Sequence, residues 1–164
     1  MHTLVRLIAV LLLIVGAAAA SDNEPRRIAV LDDCDPADDA WTATGGCTKD
    51  GGEATFAEFV AAAPIGHPAW RNDPSYLKIK DAKDLQVINY GGRAHTFTAV
   101  DAFGNGIVPP LNLPNGQPAV PECGDLSASF LAPGAKLRID RLEKGVHKYQ
   151  CCFHPWMRAE VRVD

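Results

Sequence analysis

Close to the C-terminus the sequence reads Tyr149-Gln-Cys151-Cys152-Phe-His154-Pro-Trp-Met157-Arg158, which sets a thiol, an imidazole and a thioether at Cys-x2-His-x2-Met spacing. Thiolate and thioether sulfur suit Cu(I), and imidazole suits either oxidation state of copper. Two imidazoles, one thiolate and a weak axial methionine therefore make a site that can hold both. The loop supplies three of these four ligands, so a second imidazole must come from a strand beside it. His95 is the natural supplier, because it starts the alternating run His95-Thr-Phe-Thr directly after the irregular stretch Asn89-Tyr-Gly-Gly-Arg-Ala94. The expected metal site is His95, Cys151, His154 and Met157 around one copper. Taken alone, the C-terminal spacing could arise by chance as a buried thiol among core residues, but the upstream histidine, the odd cysteine and the leader all agree with copper.

The cysteine count speaks for a metal. There are five, Cys34, Cys47, Cys123, Cys151 and Cys152, and in an oxidising compartment an odd thiol needs an explanation. Such a compartment is indicated by residues 1–20, where Arg6 precedes an uncharged apolar run and Ala18-Ala19-Ala20 offers small residues before a polar start. That is the layout of a secretory signal peptide, and the run is shorter than the roughly 20 residues of a spanning helix. An exported protein, periplasmic or extracellular, with no stable membrane insertion after cleavage is expected.

Within the strand 146–151 side chains alternate between faces, so Tyr149 and Cys151 share one and Gln150 and Cys152 the other. Tyr149 is the better core residue, which turns Cys151 toward the site and leaves Cys152 free to pair. Sequence does not fix connectivity. The count is closed by Cys34 with Cys47 and Cys123 with Cys152, leaving one thiolate for the metal.

The elements that must position these residues read as β from Tyr76 onward. Tyr76–Lys80, Leu85–Tyr90, Ala94–Val100, Lys136–Leu142, Val146–Cys152 and Ala159–Val163 are short alternating runs, with a Gly/Pro/Asn-rich connection over 103–125. Several short strands between turn signals predict an all-β sandwich or barrel. Residues 21–75 are punctuated by turns and read as a loop-rich N-terminal extension packed on a core at 76–164. Within it, 53–63 predicts a short helix with Phe56, Phe59 and Val60 on one side.

With these residues placed, the C-terminal segment resembles the ligand loop of the cupredoxins, with the short spacing of amicyanin. Leu131-Ala-Pro-Gly134 and Leu142-x2-Gly145 leading to Tyr149-x-Cys151 resemble the family's last hairpin, and Asn89-x5-His95 resembles the segment of its first histidine ligand. The resemblance covers about residues 76–164. It implies a Greek-key β-sandwich and one type 1 copper. It also implies a docking patch for a transient redox protein partner at Phe153, Pro155 and Trp156, around an exposed edge of His154. The sequence departs from the plastocyanin-like pattern at Thr96, where relatives carry Asn, and in the enlarged 103–125 connection.

A net charge of −4 argues against nucleic-acid binding, which needs a basic face. The function expected is transfer of single electrons by a monomer that is not an enzyme; the alternative is copper storage or delivery. A copper enzyme would need a further copper and more histidines, whereas only His67 and His147 are left after residue 20. Both are read as structural, His147 filling core and His67 hydrogen-bonded in its loop. Storage proteins favour Met- or His-rich clusters, and the chain has only Met1 and Met157.

Overall fold

Apolar residues at every second position bring most of the strands together. In the strand β1 (Arg26–Leu31) Ile28 and Val30 are fully buried, and in the last strand Ala159, Val161 and Val163 are buried while Glu160 and Arg162 turn outward. That alternation is what a sheet with one covered face demands. The computed structural model describes residues 26–80 and 84–164; the apolar leader at 1–20 lies outside them.

After β1 come β2 (Arg71–Asp73), β3 (Tyr76–Ile79), β4 (Leu85–Asn89), β5 (His95–Thr96), β6 (Thr98–Val100), β7 (Phe130–Leu131), β8 (Lys136–Ile139), β9 (Gly145–Gln150) and β10 (Arg158–Val163). One sheet has the order β2-β1-β4-β8 and a second the order β3-β10-β9-β6, while β5 and β7 form a small ribbon. Two of the pairings are parallel, β1 with β4 and β3 with β10. The fold is an all-β sandwich, its core running from Ile28, Val30 and Val87 to Tyr149, Met157 and Val161. The segment before residue 76 contributes two of its strands, β1 and β2.

The run beginning at His95 changes partners partway. His95 and Thr96 pair with Leu131 and Phe130, whereas Thr98 to Val100 pair with Gln150 to Lys148. Phe97, at the switch, stacks on Tyr149 with ring centroids 4.4 Å apart. This crossing delivers His95 next to the end of β9, where Cys151 follows. In the 103–125 connection, Asn105 donates to Asn115 and to the Gln117 carbonyl, and Asn112 exchanges two hydrogen bonds with the backbone of Gly106.

The helix α1 (Phe56–Ala62) starts at a capping box, Thr55 and Glu58 each bonding the other's backbone N–H. Phe59 is buried, Phe56 half-buried and Val60 exposed. Phe59 joins Trp41 and Trp70 in an aromatic cluster, the two indoles stacked at 5.7 Å. Among the described residues no helix is long and apolar enough to cross a membrane.

Candidate metal centre

Three of the expected ligands converge. His95, Cys151 and His154 offer donor atoms that all lie within 4.8 Å of one another. The Cys151 Sγ is 3.8 Å from His95 Nδ1 and 3.5 Å from His154 Nδ1. With bonds of about 2.0 Å to nitrogen and about 2.3 Å to sulfur, one ion would see these pairs at angles of about 110–125°. Both sulfur–nitrogen spacings therefore fit a single metal.

Each ligand is held from behind. The loop turns tightly because the Cys151 N–H donates to the Met157 carbonyl at 3.0 Å and the Met157 N–H to the His154 carbonyl at 2.9 Å. Thr96 stitches the two ligand segments together. Its backbone N–H points at Cys151 Sγ at 3.4 Å, and its hydroxyl accepts from the Cys152 N–H at 2.8 Å. The position after the first expected ligand thus carries a side-chain bond between the two segments. Disulfides join Cys34 to Cys47 and Cys123 to Cys152, and Cys151 is the free thiol among the described residues. Met157 is 1% exposed and packs in the core beside the loop.

Burial of Cys151 would raise its thiol pKa, but hydrogen bonds and charge from His154 and His95 bring it well below the usual value, which favours the thiolate. Burial pushes both imidazoles toward the neutral form. At His154 it prevails and the pKa falls. At His95 it is overcome by Asp32 and Cys151, and the pKa rises to about 9. Asp32 was not foreseen. Burial acts to raise its carboxyl pKa, yet hydrogen bonding and charge from His95, then the backbone N–H groups of Gly92 and Arg93, hold it below the ordinary value.

The remaining expected residues sort by place. His154 is 7% exposed because its ring meets Phe59 edge-on at 5.8 Å and Trp156 at 5.7 Å. Pro155 is buried, and Phe153 and Trp156 are half-buried. The Trp156 indole lies over Gly66, where a Cβ would come within 2.3 Å of it. A cavity of about 480 Å³, walled by Trp41, Phe56, Phe59, Arg93 and Phe153, reaches the His154 ring. His67 accepts from the Ala69 N–H and packs on Trp70, and His147 bonds the Glu143 carbonyl. Neither belongs to the metal cluster.

A buried cysteine flanked by two buried imidazoles on a β-sandwich is a donor set that could hold one metal ion, and soft sulfur with imidazole suits copper. The chain is similar to a purple cupredoxin from Nitrosopumilus maritimus, at 18% identity over 85% of this chain and 99% of that one, with a TM-score of 0.45. It is also similar to an amicyanin variant in its Cu(I) form, at 18% identity over 57% of this chain and 73% of the other, TM-score 0.39. A second amicyanin variant, in its reduced state, gives 21% identity over 55% and 70%, TM-score 0.35. No family model and no curated protein matches the chain. Overlaps of this size carry no weight of their own.

Proposed function

We propose that the protein is an exported type 1 copper carrier of single electrons, with Met157 as the weak axial ligand. The observation that carries this reading is the full burial of His95 and Cys151, and near-full burial of His154, at spacings that fit one ion. Bound copper would supply a one-electron couple, Cu(II) to Cu(I). The chain's part is to keep ligand positions fixed and water out. The Thr96 N–H on Cys151 Sγ and the turn from Cys151 to Met157 do the first, and Phe59, Trp156 and Leu131 packed around the loop do the second. Hydrogen bonds to the sulfur and to the ligand rings also tune the potential of such a centre. So deep a site suits a resident metal better than cargo, which must be released, and this favours electron transfer over storage.

The route outward is His154. Its ring borders the cavity beneath Phe153, and Trp156 shares a surface hollow with Ile65, which is 84% exposed. Docking of a redox partner at Phe153, Pro155 and Trp156 is part of the proposal, with Phe153 and Trp156 supplying the accessible surface. Such encounters are small and weak. Export is supported by the two disulfides, which persist in oxidising compartments, and by the leader at 1–20.

Loading with Cu(II) tests the reading. The expected result is intense visible absorption from thiolate-to-copper charge transfer and a compressed copper hyperfine splitting in EPR, both abolished in Cys151→Ser. A colourless Cu(II) complex, or colour that survives the substitution, would overturn it.

A further inference from the structure

Carboxylates are almost never fully buried unless they are paired, yet Asp32, just past the end of β1, is 1% exposed. Its Oδ2 lies 2.7 Å from His95 Nε2 and accepts from the Arg93 N–H at 3.1 Å, while Oδ1 accepts from the Gly92 N–H at 2.8 Å. The turn that receives it has no room to spare. A Cβ on Gly91 would fall 1.9 Å from Asp32 Oδ2, and one on Gly92 would fall 2.6 Å from Lys49 Cβ and 2.9 Å from Cys34 Sγ. Asn89 braces the same turn, accepting from the Gly91 N–H at 2.9 Å and donating to the Arg93 and Leu131 carbonyls. Residues 89–93 thus form a socket for one carboxylate, and the ring of a metal ligand closes it.

The orientation of that ring follows from the chemistry. With Nδ1 facing Cys151 Sγ, the other nitrogen carries the proton and donates to the carboxylate, a charge-assisted bond that fixes tautomer and ring plane together. A fixed negative charge behind one ligand also favours the oxidation state with more positive charge.

We propose that Asp32 is a positioning residue for the copper ligand His95, aiming Nδ1 at the metal and biasing the centre toward Cu(II). This rests on the type 1 copper reading above. It gives the N-terminal segment a role in the centre: the strand β1 and the staple between Cys34 and Cys47 hold Asp32 in place.

The test is a redox titration of the copper-loaded full chain and its variants. Asp32→Asn keeps the size and removes the charge. It is expected to retain the thiolate-to-copper band and to shift the Cu(II)/Cu(I) equilibrium at least tenfold toward Cu(I), a rise of about 59 mV for one electron. Asp32→Glu restores the charge and should recover most of that shift. If Asp32→Asn keeps its colour but shifts the equilibrium less than twofold, Asp32 is only a structural residue and the proposal fails. Should Asp32→Asn not fold, 15N NMR of the Cu(I)-loaded wild type decides. A slowly exchanging proton on His95 Nε2 supports the proposal, and metal bound at Nε2 overturns it. A wild type that never develops the band would bring down the copper reading as well, so the two failures are distinguishable.

Discussion

On one side of Cys151 the ring of His95 is fully buried and tied by Nε2 to a carboxylate that two backbone N–H groups also hold. On the other side His154 meets the rings of Phe59, Phe153 and Trp156 and borders a cavity. The two ring centroids are only 4.9 Å apart, yet one imidazole sits against charge and the other against aromatic carbon. Their pKa values diverge accordingly, His95 raised and His154 lowered. In the copper-carrier reading the two jobs of such a centre are thereby separated. One side sets the electrostatics and the ring orientation, and the other gives the electron a way out through apolar contacts that exclude water.

The largest expected effect tests the charged side. Removing one partner of a buried ion pair strands the other, which costs about 3–5 kcal/mol. His95→Ala leaves the buried Asp32 carboxylate without its ring partner, held by the Gly92 and Arg93 N–H groups, so the metal-free variant is expected to lose about that much stability in urea unfolding. His154→Ala leaves the Asp32–His95 pair intact and loses ring packing and one bond to the Cys151 sulfur, and about 1–3 kcal/mol is expected from its buried area. Equal losses would show that the two sides do not differ in kind.

Proton release on metal binding sharpens the same contrast. A ligand imidazole must be deprotonated to bind. In the metal-free protein His95, with its pKa near 9, holds a proton at pH 7.5, whereas Cys151 and His154 are both shifted down, toward the forms that bind a metal. Zn(II), which does not oxidise the thiolate, is therefore expected to release about one proton per ion at pH 7.5, read with an indicator dye. Apparent affinity should fall as pH drops below 9, by up to tenfold per unit or about 1.4 kcal/mol. In His95→Gln the release should vanish. Release that persists there would move the proton to the other side of the centre.

The ligand loop was legible because its chemistry is local: Cys151, His154 and Met157 lie within seven residues, and strand alternation is enough to separate Cys151 from Cys152. His95 could be reached because an irregular stretch followed by an alternating run marks a strand start. Asp32 was out of reach for the opposite reason. It meets His95 across 63 positions, and nothing around it distinguishes it from Asp33 or Asp35. The strand β1 was hidden similarly. Its alternation is short, and its main partner is β4, in parallel and more than fifty residues away, so it reads as part of a turn-rich stretch. The Gly91-Gly92 pair was visible as a break between strands; what it makes room for, the Asp32 carboxylate and the Cys34 sulfur, appears only in three dimensions.

The smallest expected effect bears on the aromatic side. Phe59 is 5% exposed and touches Trp41, Trp70, Trp156 and the ring of His154. Phe59→Leu keeps the site apolar and removes part of one wall, so about 1 kcal/mol of stability is expected to go. No charge moves and no hydrogen bond to a ligand is lost. The absorption band should stay, and the Cu(II)/Cu(I) equilibrium should shift less than twofold, against at least tenfold in Asp32→Asn. What should change is access: with less ring carbon over His154, electron self-exchange of the copper-loaded protein, followed by NMR line broadening, is expected to speed up. A potential that moved in Phe59→Leu as far as in Asp32→Asn would mean that both sides tune the metal alike, and the division between a charged anchor and an aromatic outlet would not hold.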